Sequence, residues 1–366
     1  MKEGYRFLGE YIRQVDIRNK EGKKENLLGV SVQKQFIKSI ANTVGTDFTK
    51  YKVVKKEQFT YIPDTSRRGD KIAIALLEDY EEGLVSNVYT VFEVIDTEKL
   101  LPEYLMLWFS RPEFDRYARF KSHGSVREVM DWEEMCKVEL PVPNIEKQRK
   151  IVKAYKTITD RIALKQKIND NLAEYLNCIY IKLIKNTQET TSLSAICDYV
   201  TEKVSFSEVD TSVYVSTENI LPDKQGVASF GITSPSDRVT YFREKDVLIS
   251  NIRPYFKKMW FATTSGGCNA DVLCFRALDK RYSYFLKSIL FQDSFFDYVM
   301  SGAKGTKMPR GDKKHIMQYQ IPCFLDTQLQ KFNKLASSIE HNQALNRQEI
   351  SALESTKEML LATLSR

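Results

Sequence analysis

From residue 143 to about residue 185, apolar side chains recur at Ile151, Tyr155, Ile158, Ile162, Leu172, Leu176, Ile179 and Leu183. The steps alternate between four and three, with Lys165 and Asn169 filling the two remaining seam positions. That rhythm predicts one unbroken helix carrying a coiled-coil seam, not the broader apolar face of an ordinary globular helix. No Gly or Pro interrupts it, and about 40 residues rising 1.5 Å each make a rod of roughly 60 Å. A second seam, with Phe332, Leu335, Ile339, Leu353 and Leu360 and polar interruptions at Asn342 and Asn346, predicts a second long helix from Gln328 onward.

Each long helix is preceded by shorter, mixed patterns. Residues 27–32, 51–54, 58–62, 72–76 and 88–95 read as β-strands separated by turn residues, including Glu82-Gly83. An aromatic helix follows, opening at Pro102 and running through Tyr104 to Phe109. Then comes a basic, glycine-containing stretch, 116–127, and a terminating Leu140-Pro141. The order repeats in the second half: strand-like 213–215, 246–250, 259–262 and 272–275, an aromatic helix at 284–291, a Gly/Lys loop at 301–311, and Ile321-Pro322 ahead of Gln328. The chain is therefore expected to be a tandem duplication with a period of about 180 residues.

The expected fold class is α+β. Two mixed α/β modules, 1–143 and 188–325, alternate with helices at 144–187 and 326–366. Because the first helix ends at the second module, the second helix should lie back along it, antiparallel, about a pseudo-twofold axis. Polar seam residues near mid-helix (Lys165, Asn169, Asn342, Asn346) would hold the register at some cost in stability.

Composition narrows the function classes. With 366 residues, 42% apolar, the chain can bury two cores and is not disordered. Its apolar runs are too short to span a bilayer, and Met1 to Arg6 shows no signal-peptide core, so no membrane association is expected. The six cysteines, Cys136, Cys178, Cys197, Cys268, Cys274 and Cys323, form no Cys-x-x-Cys pair and suit reduced thiols in a cytoplasmic protein. His123, His315 and His341 are scattered, which argues against a zinc site or a catalytic triad. The loop Gly302-Ala303-Lys304-Gly305-Thr306-Lys307 lacks the phosphate-loop spacing. Asn251-Ile252-Arg253-Pro254-Tyr255 only superficially matches the Asn-Pro-Pro-Tyr loop of amino-methyltransferases. No catalytic or metal residue is assigned.

The net charge of +7 points weakly to a polyanion, but its placement says more. In the first module the candidate DNA contacts are Tyr61, Arg67, Arg68, Lys71, Lys121, Ser122, His123, Ser125 and Arg127. In the second they are Asn251, Arg253, Tyr255, Lys257, Lys258, Lys304, Thr306, Lys307, Arg310, Lys313 and Lys314. Lys and Arg on glycine-containing loops suit phosphate contact, and Arg and Asn can pair bidentately with guanine and adenine edges. The bland alternative for any one of them is an ordinary exposed charge. The same holds for the basic faces of the first long helix (Lys147, Arg149, Lys150, Lys153, Lys156, Arg161, Lys165, Lys167). The aromatic helices are expected to be buried against sheet, not to serve as stacking platforms.

The motifs Leu140-Pro141-Val142-Pro143, Gln148-Arg149-Lys150-Ile151-Val152 and their counterparts Ile321-Pro322 and Gln328 stand ahead of the two long helices. With Gly83-Leu84-Val85-Ser86, Tyr89-Thr90-Val91-Phe92 and the loop His123-Gly124-Ser125, the whole layout resembles the specificity subunit of type I restriction–modification systems, HsdS. The second copy departs from the family pattern at Cys323-Phe324, where a further proline is usual, and at Leu329-Gln330-Lys331, which replaces a basic run. The resemblance implies two target-recognition domains, each reading one half of a bipartite sequence in double-stranded DNA, with spacing set by the helices. It implies no chemistry and no cofactor in this chain. Two modification subunits, using S-adenosylmethionine to methylate adenine, would dock on it, and a restriction and translocase subunit could join, bringing ATP and Mg. The assembled complex would be an adenine methyltransferase and ATP-dependent endonuclease. The alternative is the recognition subunit of a combined nuclease–methyltransferase of another restriction type.

Overall fold

Two long helices dominate the α+β architecture: α4, Ile145–Lys185, and α8, Asp326–Thr363. The computed structural model describes residues 4–39, 45–64, 71–122, 128–185, 187, 189–209, 213–228, 230 and 237–364. The chain divides into two units, one of Met1–Lys165 with Gln348–Arg366 and one of Gln166–Arg347. Each unit thus contains its own stretch of both helices.

In the first unit, Tyr5–Phe7 pairs antiparallel with Glu139–Pro141, so the Leu-Pro motif closes the module onto its beginning. A four-stranded antiparallel sheet runs in the order Ile12–Val15, Thr90–Val94, Phe59–Tyr61, Ile74–Leu76. A three-stranded sheet joins Ile17–Arg18, Lys52–Lys55 and Glu82–Val85, and a hairpin pairs Leu28–Val30 with Phe36–Lys38. Glu82-Gly83 is therefore strand, not turn. Gly83 is there because a Cβ would come within 2.4 Å of the Leu28 side chain, so the glycine marks a close approach and not a bend. Three short helices follow: α1 Pro102–Phe109, α2 Pro112–Lys121 and α3 Trp132–Cys136.

The second unit repeats the plan. Thr190–Ser192 pairs with Gln320–Pro322, and one sheet runs Cys197–Tyr199, Val272–Ala277, Val247–Ser250, Met259–Phe261. A second sheet runs Lys203–Ser205, Arg238–Phe242, Gly266–Cys268, Tyr214–Val215, its last pair parallel. Helices α5 Ser283–Leu290, α6 Asp293–Ser301 and α7 Lys313–Met317 correspond to α1, α2 and α3. Asp131 and Asp312 cap α3 and α7 alike, accepting from Glu134 N at 2.8 Å and Lys314 N at 2.9 Å.

The aromatic helices are core. Tyr104, Leu105, Trp108 and Phe109 of α1 are buried, with Phe59 and Phe92 stacked at 4.8 Å beneath them. Phe285, Leu286, Ile289 and Leu290 of α5 do the same in the second unit. Leu361 and Leu364 of α8 join the core of the first unit.

Along α4, Ile151 and Tyr155 pack on the first core, Ile158 is half-buried and Ile162 buried. In the second unit Leu176 is buried, Leu172 and Ile179 are packed against it, and Tyr180 is buried as well. On α8, Phe332 and Ile339 are buried, while Leu335, Leu353 and Leu360 are half-buried. The register differs from the expected one in one respect. Ala336 and Gln343 are buried and Asn342 is exposed, bonding its own helix at Ser338 O. The seam steps 329, 332, 336, 339, 343, 346, because a fully buried alanine carries the pattern between Phe332 and Ile339. Asn346 Nδ2 donates to Asn169 Oδ1 and Gln343 Nε2 to Asn169 O, both at 2.8 Å, which makes a satisfied polar layer. Lys165, with Arg161, pairs with Glu349 in the first unit.

Candidate nucleic-acid interface

The two basic segments singled out in the second half of the chain are brought together as one edge. Ile252 and Arg310 form an antiparallel bridge, and so do Lys304 and Arg310. Arg253 N donates to Pro309 O at 2.8 Å, and Lys304 and Arg310 exchange both backbone bonds at 2.8 and 2.9 Å. Gly305 takes φ +98°, which lets the loop return so tightly. Gly305, Thr306, Lys307 and Met308 at its tip are all exposed.

The partner segment is a one-turn helix, Pro254–Phe256, flanked by Arg253 and Lys257, both left-handed at φ 50° and 51°. Left-handed backbone at a branched or long side chain costs roughly 1–2 kcal/mol per residue, so two such residues around one turn mark a shape held by its surroundings. The turn lifts Tyr255 and Phe256 into solvent, 47% and 40% exposed. Asn251 Oδ1 and Arg253 Nε are buried and find no hydrogen-bond partner among the described residues, which is uncommon for buried polar atoms.

The cations divide by what they touch. Lys258 donates to Thr217 O at 2.8 Å and serves the fold. Lys257 pairs with Asp293, Lys304 with Asp312, and Arg310 with Asp271; such exposed pairs are weak and exchangeable for phosphate. The Asp312 carboxyl is pulled down to about 2 by Lys304 and the amides of His315 and Lys314. Lys313 lies over the Tyr199 ring at 5.7 Å. Lys307 and Lys314 are exposed and make no ion pair among the described residues.

In the first unit the same joint recurs: Asp64 and Val129 form an antiparallel bridge, and Met130 N donates to Pro63 O at 3.0 Å. Arg67, Arg68, His123, Ser125 and Arg127 lie outside the described residues. Lys71 is exposed. Three expectations are corrected here. Tyr61 is wholly enclosed, edge-on to Phe92 at 6.1 Å, so it supports the wall and presents no surface. Ser122 is buried, its hydroxyl donating to Ala118 O at 2.7 Å. Residues 116–121 are not loop but the end of α2, where Arg116, Arg119 and Lys121 pair with Glu113, Glu128 and Glu134. The basic face of α4 is likewise partly neutralised, Arg149 by Glu98 and Glu146 and Lys156 by Glu78 and Glu103.

Sequence reasoning missed two lysines, Lys34 and Lys224, each in a hairpin turn at φ 63° and 61°. Each reaches the end of its unit's aromatic helix, at Phe109 O (2.5 Å) and Phe291 O (3.0 Å). Their signal, Lys-Gln at a turn in both halves, was too short to register. Among the described residues no cluster of His, Cys, Asp and Glu could hold a metal ion, and no helix is long and apolar enough to cross a membrane.

Residues 9–174 match the family model described as type I restriction modification DNA specificity domain. No curated protein matches. A crystal structure of the S subunit of a type I restriction–modification system from M. genitalium is similar in fold, with TM-score 0.59 at 12% identity over 99% of this chain and 96% of that one. The HsdS subunit from Thermoanaerobacter tengcongensis aligns over 100% of this chain and 97% of that chain at 16% identity, with TM-score 0.36.

Proposed function

From the match of residues 9–174 to the type I restriction modification DNA specificity domain, we propose that this chain is the sequence-reading subunit of such a system, each unit reading one half of a bipartite duplex target. The observation that carries this is the joint found once per unit. Two sequence-distant segments are bridged at Ile252–Arg310 in one unit and Asp64–Val129 in the other. The first of these presents Lys307, Arg310 and the Tyr255 turn on one edge. Phosphates would be met by the lysines of the loop tip, and base edges by Asn251 and Arg253, both half-buried on that edge. The chain would supply no chemistry. Modification subunits docked on it would methylate adenine with S-adenosylmethionine, and a restriction and translocase subunit would use ATP and Mg. The two long helices would set the number of unread bases between half-sites.

Co-expression with a modification subunit, followed by mapping of methylated adenines, tests the reading. A split target is expected, and exchanging residues 1–143 for another module should change one half of it alone. Binding should weaken linearly in log–log terms with salt. A continuous target, or a change in both halves, would overturn the modular reading.

A further inference from the structure

We infer that a lysine–carboxylate clamp, built once into each unit, positions that unit's DNA-reading edge and so governs discrimination at its own half-site; this rests on the function proposed above. In the second unit Lys224 Nζ meets Asp293 Oδ1 at 2.7 Å, as well as Phe291 O. The same carboxylate oxygen takes Lys257 Nζ at 3.0 Å, at the end of the Tyr255 turn. The hairpin carrying Lys224 is also bonded to that turn directly, Asp223 N to Phe256 O and Lys224 N to Lys257 O, both at 2.9 Å. In the first unit Lys34 Nζ meets Asp115 Oδ1 at 2.8 Å, and that oxygen accepts from Ile72 N at 3.3 Å, next to Lys71. Hairpin, aromatic-helix end and reading edge are thus tied at one carboxylate in both units.

Stability alone does not account for the arrangement. Lysine is a poor choice for a left-handed position. A buried ammonium is costly unless fully paired, and the Lys34 side chain is only 7% exposed. Burial lowers the Lys34 pKa despite its carboxylate partner, and Lys224 and Lys257 together depress that of Asp293. The left-handed lysine recurs at the same place in two units that otherwise share few side chains, although the Lys224 side chain, 16% exposed, is less enclosed. The ring contacts recur too, Lys34 over Phe114 at 5.3 Å and Lys224 over Phe291 at 4.7 Å. What the two sites have in common is the segment they hold, which in each case borders the edge proposed to face DNA.

The test uses the chain assembled with its modification subunit and the duplex mapped by methylation, with single-base changes placed in either half. Wild type is measured first, and failure to bind in a salt-dependent, sequence-selective way would sink the DNA-reading function itself. Given wild-type selectivity, Asp293→Asn and Lys224→Met should each cut discrimination in the half read by the second unit by about tenfold, the scale of one charged hydrogen bond. Discrimination in the other half should be unchanged, and Asp115→Asn should show the mirror result. Lys224→Arg should recover part of the loss. Thermal melting is followed for every variant. Unchanged discrimination at the half read by the mutated unit, or an equal loss at both halves that tracks the melting temperature, would overturn the clamp while leaving the DNA-reading function intact.

Discussion

Replacing Gln148 by Leu removes one side chain that closes three separate gaps. Its Nε2 donates to Lys99 O and to Pro143 O, both at 2.8 Å, and its Oε1 accepts from Leu101 N at 2.9 Å. The residue is wholly buried. Leucine would fill a similar volume but strand two carbonyls and one amide, including the one that leads into α1. At about 1 kcal/mol for each lost bond, and more where a buried group stays unpaired, the cost is about 3 kcal/mol or somewhat above. In a folding unit of this size each kcal/mol moves Tm by about 2–4 °C, so a fall of about 6–12 °C is expected. The internal repeat supplies the control. Gln328 holds the matching place on α8 and is partly exposed, and among the described residues its side chain accepts one bond, from Leu325 N at 3.2 Å. Gln328→Leu should therefore cost no more than about 0.5 kcal/mol. Urea and thermal unfolding measure both, and hydrogen exchange at Leu101 should quicken only in the first variant. Equal costs for the two substitutions would refute the hydrogen-bond account of this motif.

Asn169→Leu alone should destabilise by about 1 kcal/mol because it removes the acceptor to which Asn346 Nδ2 donates, whereas Asn169→Leu with Asn346→Leu should regain part of that in urea unfolding. Asp312, whose folded pKa is depressed to about 2, contributes stability above the ordinary carboxylate value and loses it as pH falls from about 4 through 2. Asp312→Asn should accordingly melt with a shallower pH dependence than wild type over that interval. Thiol labelling should modify Cys178 first, since it is exposed, and spare Cys197, Cys268 and Cys274; burial pushes the thiols of Cys197 and Cys268 up to about 12.

Long-period patterns were readable because they repeat many times. The α4 seam and the aromatic helices follow from apolar spacing alone, and the duplication follows from matched landmarks. What failed was local and short. Gly83 looked like a turn because its reason, the Leu28 side chain, lies far away in sequence. Ala336 is too small to announce a seam position, which shifted the polar layer from Gln343 to Asn342. The basic run 116–127 seemed unopposed because Glu128 and Glu134, which neutralise Arg119 and Lys121, lie beyond it. Tyr61 reads as a polar aromatic near arginines, yet it points into the core. The joint between 251–258 and 304–314 depends on backbone bridges that no side-chain pattern encodes.

The first unit is interrupted in sequence by the whole of the second, 166–347. Its core includes Leu361 and Leu364, so on a ribosome it must wait for them. At about 5–20 residues per second, the 182 intervening residues take roughly 10–40 s to make. Throughout that time the surface that α8 will cover on the first core stays open, while the second unit already has all its sequence once residue 347 has emerged. The second unit is thus free to finish folding ahead of the first, and the half-built first unit is where chaperone binding or misassembly would concentrate.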